Sequence, residues 1–181
     1  MTATAGPGPT ADAAVEAIAL RKHFGPIHAV DGIDLALAPG RIYGLLGPNG
    51  SGKTTFIRLL AGLARPTSGE ARILGTTMPD RPTLGRLGYM PQSEALYPDL
   101  SVGENIGFFA TLQGAGNRAA IDRALALVEL ADRKGTPVVE LSGGMRRRLS
   151  LAVTLVHEPP VVLPTRLGCG VLTQAWLRSL K

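Results

Sequence analysis

The chain has 181 residues, a net charge of +5, 45% hydrophobic and 4% aromatic content, and a single cysteine. That length supports one domain with its own core, filled mostly by Ala, Leu and Val, and the lone Cys169 excludes an intrachain disulfide or a cysteine-based metal site. No apolar stretch approaches the ~20 residues that span a bilayer, Met1–Thr10 lacks the start of a signal peptide, and the basic residues are scattered without aromatic interleaving, so no nucleic-acid partner is expected.

Residues 1–13, rich in Ala, Gly, Pro and Thr, read as a disordered tail, and the body of the domain is expected over 14–181. Ile33, Leu35 and Leu37 alternate with Asp34 and Ala36 as in a half-buried strand. Pro39-Gly40 marks a turn, and Arg41 to Leu46 reads as a second strand running into a glycine-rich loop. Lys53 to Leu63 follows as a helix, with Phe56, Leu59, Leu60 and Leu63 at helical spacing. Ala71 to Leu74 and Leu87 to Met90 read as short strands. Ser101 and Glu104 form a capping box that opens a helix toward Gln113. Gly114 to Asn117 breaks it, and Arg118 to Leu130 reads as the next helix. Ser142 caps a third helix, with Met145, Leu149, Ala152, Val153 and Val156 on one face and Pro159-Pro160 as its stop. Val161-Val162-Leu163 reads as a buried strand cut short by Pro164. The alternation predicts an α/β fold, with a mostly helical inserted subdomain at about 91–141.

Two motifs carry chemistry. Gly47-Pro48-Asn49-Gly50-Ser51-Gly52-Lys53-Thr54-Thr55 fits the phosphate-loop pattern G-x-x-x-x-G-K-[ST] in strand-loop-helix context. Its glycines let backbone N–H groups turn toward phosphate oxygens. Lys53 is placed to reach the β- and γ-phosphates, and the Thr54 hydroxyl to ligate Mg²⁺. The second motif, Leu141-Ser142-Gly143-Gly144-Met145, reads alone as a capped helix with a flexible glycine pair. Downstream of a phosphate loop it reads as a second anion-binding surface. One chain has no use for two such surfaces unless one completes the site of another copy. Phe24, in Arg21-Lys22-His23-Phe24-Gly25, is either a core ring near a turn or a flat face for a purine. Arg146-Arg147-Arg148 reads as a solvated helix face.

With these motifs the chain resembles the ATP-binding subunit of ABC transporters, in the drug- or polysaccharide-exporting ABC-2-type branch, over roughly residues 14–163. The resemblance implies a P-loop NTPase core: a mixed sheet with flanking helices. It implies ATP and Mg²⁺ as cofactors, and a dimer in which one subunit's phosphate loop and another's Ser142, Gly143 and Gly144 sandwich the nucleotide. It assigns Phe24 to adenine stacking and Gln92, in Tyr89-Met90-Pro91-Gln92, to Mg²⁺ and the attacking water; alone, Gln92 is a solvated loop residue. Ser93 to Asn105 matches the segment that docks a transmembrane permease subunit. The implied protein lies on the cytoplasmic face of the membrane, held there by the permease, with a second ATP-binding subunit, identical or not.

One departure bears on chemistry. In the resembled family the strand at 161–163 ends in Asp-Glu, the Mg²⁺-anchoring and water-polarising pair. Here Leu163 is followed by Pro164-Thr165, and no Asp, Glu or His occurs after Glu158. Arg166 to Gly170 also lacks the family's following aspartate, and Val171 to Lys181 resembles the next helix, short of the switch histidine. ATP binding with impaired hydrolysis is therefore expected, in a domain short of some of its core. The rival readings are a non-hydrolysing regulatory module, a pseudogene product, and a soluble ABC ATPase of DNA repair or translation. Met145 and the export-like segment 96–105 weigh against the last.

Overall fold

The computed structural model describes residues 13–92, 95–165 and 170–173; the expected tail at 1–12 lies outside them. In chain order the elements are β1 (Val15–Phe24), β2 (Ile27–Leu37), β3 (Ile42–Gly44), α1 (Lys53–Leu60), β4 (Ser68–Ile73), β5 (Thr76–Thr77), α2 (Arg81–Leu84) and β6 (Leu87–Met90). They continue with α3 (Val102–Leu112), α4 (Arg118–Leu127), α5 (Gly143–Leu155), β7 (Val161–Pro164) and β8 (Gly170–Thr173).

The strands form an antiparallel sheet in the order β2-β1-β4-β5 and a mixed sheet in the order β3-β8-β7-β6. In the first, Val15 stands opposite both Leu37 and Ile73, so three fully or nearly fully buried residues line one row. The strand β1 was not legible in advance because its alternation breaks. Ala19 sits at φ 43°, the pairing shifts register there, and Asp34 Oδ1 takes the Ala19 N–H at 2.8 Å. Helix α1 buries Phe56, Ile57, Leu59 and Leu60 in one core shared with both sheets, including Val161, Leu163 and Leu87.

Leu63 falls outside α1 and is exposed, contrary to the helical spacing. The cause is the stop at Gly62, whose φ of 65° needs a glycine. Gly62 N–H donates to Leu59 O and Leu63 N–H to Arg58 O, a Schellman cap.

Helices α3, α4 and α5 build a second core from Val102, Ile106, Ala110, Ala120, Ala124, Leu125, Leu149, Ala152 and Val156. Their starts are capped as the sequence indicates. Ser101 and Glu104 complete a capping box, and the Ser101 hydroxyl holds the Glu104 carboxyl below its ordinary value. Asn117 caps α4 and Ser142 caps α5. The arginine run lies against its own unit rather than free in solvent: Arg146 Nη1 donates to Leu141 O at 2.7 Å and Arg148 Nη1 to Val128 O at 3.2 Å.

Fully buried Asn105 pins the loop before α3. Its Oδ1 accepts from Tyr97 N–H at 2.8 Å, and its Nδ2 lies 2.9–3.2 Å from the carbonyls of Tyr97, Leu100 and Ser101.

The helix expected from Val171 onward is not what 171–173 form. Gly170–Thr173 is a strand paired antiparallel to both β3 and β7, with Gly44 opposite Gly170 and Val162 opposite Leu172. Without β8 the facing edges of β3 and β7 would be left unpaired. Residues 174–181 lie outside the described residues.

Two stability predictions follow from these contacts. Asn105→Ala strands the Tyr97 N–H and should cost about 2 kcal/mol in urea unfolding, whereas Asn117→Ala, at an exposed cap, should cost about 1 kcal/mol. Burial pushes half-buried His157 below the ordinary imidazole value of 6.5. Its protonation therefore favours the unfolded chain, so its contribution is complete above 6.5 and is lost as pH falls through the lowered folded value. Melting curves between pH 7.5 and pH 5 should show a shallower acid slope in His157→Gln than in the parent; equal slopes would remove His157 from the account.

Candidate functional site

Sheet direction gathers the site. Strands β6 and β7 are parallel, and β8 is antiparallel to β7 and to β3, so β3, β6 and β7 all point the same way. Their C-terminal ends share one edge, where open α/β sheets bind ligands. The phosphate loop leaves β3 there, Pro91-Gln92 leaves β6, and Thr165 leaves β7. Thr165 ties the last two exits together, its N–H and its hydroxyl both donating to Met90 O, at 3.0 and 2.9 Å.

The loop has the geometry of an anion cradle. Gly50 and Gly52 sit at φ 82° and 83°, where side chains are strained, and Gly47 at φ 156°. Ser51 N–H donates to Pro48 O at 3.3 Å, which closes the turn through Asn49 and Gly50. Lys53 Nζ folds back over the loop, donating to Gly47 O at 2.8 Å and Pro48 O at 2.6 Å, with Ser51 Oγ at 3.4 Å. Its charge is met by neutral oxygens; among the described residues no carboxylate pairs with it.

The decisive feature is the start of α1. Helices α2, α3, α4 and α5 each carry a side-chain cap, from Asp80, Ser101, Asn117 and Ser142. Helix α1 has none, its N-cap being Gly52, and no acidic residue lies in its first turn. The first amides of a helix have no partner within it and carry the positive end of the helix dipole. At α1 those amides have no side-chain cap, and together with Lys53, once it leaves its loop carbonyls, they could hold a phosphate chain. Exposed Thr54 and Gln92 bring oxygen donors of the hard kind Mg²⁺ takes.

Phe24 is not a core ring: it is 53% exposed, with Lys22 Nζ 5.1 Å from its ring centroid. It ends β1 and pairs with Ile27 across a turn in which Gly25 has φ 56°. The same hairpin touches the loop. A Cβ on Gly52 would stand 1.9 Å from Ala29 O, so the β2 backbone lies directly against the phosphate loop. This close approach, which the sequence does not show, brings the exposed Phe24 hairpin to the cradle.

Ser142, Gly143 and Gly144 start α5 and are exposed, on the second core rather than beside the loop. Ser142 Oγ accepts the Met145 N–H at 3.2 Å. Glu158 precedes β7, so it lies at the opposite edge from the cradle, where Arg123 holds it at 3.1 Å. A further surface extends beyond the segment 93–105 singled out in the sequence, adding Phe108, Phe109 and Leu112 to Tyr97. Tyr97, Phe108 and Phe109 form an aromatic cluster with centroids 5.1–6.0 Å apart. Tyr97 and Phe108 are exposed, as is Leu112 on the same helix.

A strand-loop-helix cradle at the C-terminal edge of a mixed sheet, with a helical unit carrying a second glycine-led helix, defines a P-loop NTPase fold. The family profile described as ABC transporter matches residues 30–164, and the chain belongs to that family. It is 40% identical over 180 residues to the Nod factor export ATP-binding protein I of Paraburkholderia xenovorans, covering 93% of this chain and 59% of that protein. It is 40% identical over 167 residues to the probable multidrug ABC transporter ATP-binding protein YbhF of Escherichia coli, covering 88% of this chain and 29% of that one. Among solved structures, a bacterial Atm1-family ABC exporter with ATP bound superposes with a TM-score of 0.74 at 27% identity, over 90% of this chain and 31% of that one. The chain thus spans less than two thirds of each of these relatives. Among the described residues no helix is long and apolar enough to cross a membrane.

Gly52→Ala tests the loop's dependence on the hairpin. The added methyl cannot coexist with Ala29 O, so the variant should melt several degrees lower. Gly50→Ala, where nothing lies within 4 Å, should melt less than half as far below the parent.

Proposed function

We propose that this chain binds ATP with Mg²⁺ at the α1 cradle and serves as the ATP-binding subunit of an exporter. The observation that carries this is the uncapped α1 N-terminus beneath an uncompensated Lys53. The amides of Gly50, Ser51, Gly52, Lys53, Thr54 and Thr55 would cradle the phosphates, within the loop shaped by Gly47, Pro48 and Asn49. Lys53 would meet the β- and γ-phosphates, Thr54 and Gln92 would hold Mg²⁺, and Phe24 would offer its exposed face to the base. Mg²⁺ supplies neutralisation of phosphate charge when bound.

A second subunit is supported by the glycines of α5. A Cβ on Gly143 or Gly144 would meet no atom nearer than 3.9 Å, and neither residue has a positive φ. Nothing among the described residues requires glycine there, and two glycines weaken a helix start. Close approach of another body explains both. In this reading Ser142, Gly143 and Gly144 close over the γ-phosphate held by a partner, as a homodimer or a heterodimer. The exposed Tyr97, Phe108 and Leu112 suit contact with a transmembrane permease subunit on the cytoplasmic face, beside the inserted helical subdomain at about 91–141.

Hydrolysis is expected to be weak. Strand β7 delivers Pro164 and Thr165 to the site edge, and neither can anchor Mg²⁺ as a carboxylate or polarise water as a base. Absence of a general base alone lowers rates by about 10²–10⁴-fold. The same feature supports the second reading, a non-hydrolysing module that binds ATP and pairs with an intact subunit.

Equilibrium binding of ATP, with and without Mg²⁺, tests the pocket: Lys53→Ala should lose binding by more than about tenfold, and unchanged binding would dismiss it. Turnover by the parent should lie at least about 10²-fold below that of an intact ABC ATPase. Full Mg²⁺-dependent turnover would sink the claim of impaired hydrolysis.

A further inference from the structure

The β1–β2 hairpin carries a cluster that the nucleotide reading leaves unused. His23, His28 and Asp31 each offer a ligand atom, all within 4.8 Å of one another. His23 Nε2 lies 3.8 Å from Asp31 Oδ1, and His28 Nδ1 lies 3.7 Å from Asp31 Oδ2. The two imidazoles stack across the hairpin, centroids 3.9 Å apart and 13° from parallel, and both aim a nitrogen at one carboxylate.

These contacts are too long for hydrogen bonds. His23 Nε2 is shielded from solvent and has no hydrogen-bond partner. An unpartnered buried nitrogen is costly, and a bound cation would satisfy it. Zinc bonds of about 2.0–2.2 Å set ligand atoms about 3.4 Å apart in a tetrahedron, whereas these lie within 4.8 Å of one another, so binding needs the cluster to close by up to about 1.4 Å and one imidazole to turn out of the stack. Asp31 also receives Arg21 Nε at 3.4 Å. A carboxylate has about four lone-pair positions, so Arg21 can orient it while it ligates.

We propose that His23, His28 and Asp31 form a binding site for one divalent transition-metal cation of the zinc, cobalt and nickel class. Two imidazoles and one carboxylate suit that class and not Mg²⁺, which takes oxygen donors. The fourth position is open to water. The ion would bridge β1 to β2 across the turn that presents Phe24, and so stiffen the hairpin that lies against the phosphate loop. The site needs no nucleotide, so its fate is separate from that of the ATP reading.

The test uses the full chain without a histidine tag, stripped with chelator and free of nucleotide. Calorimetric titration with Zn²⁺ should show one equivalent bound, and excess Mg²⁺ should not compete. Co²⁺ should give visible bands of nitrogen and oxygen ligation; a sulfur charge-transfer band would move the metal to Cys169 and overturn the proposal. His28→Ala and Asp31→Asn, both at exposed positions, should each weaken Zn²⁺ by about 10–100-fold. His157→Gln should leave it unchanged. Zn²⁺ should also raise the melting temperature of the parent but not of His28→Ala. Absence of saturable binding in the parent, or equal binding in His28→Ala and Asp31→Asn, would overturn the site and leave Asp31 as an ion-pair partner of Arg21.

Discussion

The start of α1 constrains more of this molecule than any other feature. A helix N-terminus in a folded protein needs a partner for its first amides, and the other four α-helices described here find one in their own side chains. Helix α1 instead presents Gly52 and bends Lys53 back over the loop. The loop cannot take this shape alone. Gly52 has φ 83° and stands against the Ala29 carbonyl, so the β1–β2 hairpin braces it from one side. The buried face of α1, from Phe56 to Leu60, braces it from the other. The cradle's rigidity thus comes from the first core, while its electrostatics come from what the sequence withholds: a capping side chain and a counter-charge.

The division into two cores follows from that arrangement. The first joins α1 with both sheets, and the second joins α3, α4 and α5. Helix α5 connects them, since its buried face belongs to the second core and its chain continues through Pro159-Pro160 into β7 of the mixed sheet. A displacement of the helical unit would therefore move the Ser142–Gly144 helix start while leaving the phosphate loop in place. Tyr97 and Phe108 lie on that same unit, fixed to it by the buried Asn105. A displacement of the aromatic cluster would thus be passed to α5 through the core that α3 and α5 share.

What the sequence disclosed, it disclosed through local rules. The capping box at Ser101 and Glu104, the Ser142 cap and the buried face of α5 depend on neighbours within a helical turn or on helical periodicity. The phosphate loop was legible for the same reason, its chemistry being contiguous. What stayed hidden depends on distant partners. The irregular β1 is held by Asp34 and by pairing on both edges. The strand at 170–173 is set by unpaired backbone on β3 and β7, which no local pattern reports. Phe24 could be decided only once the fold left it exposed, and the approach of Ala29 to Gly52 only once β2 was in place.

The mixed sheet also shows why the departure at 163–165 is chemical rather than architectural. Strand β7 is fully buried, pairs with β6 in parallel register from Leu87–Val161 to Met90–Pro164, and is fastened at its end by Thr165 on Met90 O. Its backbone therefore reaches the site edge as a strand of this topology should. Only the side chains at its tip differ from what phosphoryl transfer to water uses: a ring without an N–H and a hydroxyl engaged by Met90 O. On the proposed reading, binding and hydrolysis rest on different elements of this chain. The groups that would grip a triphosphate belong to β3 and α1, and those that would activate water belong to the end of β7. A change confined to β7 leaves the first set intact, so retained nucleotide affinity with lost turnover is the combination that this geometry supports.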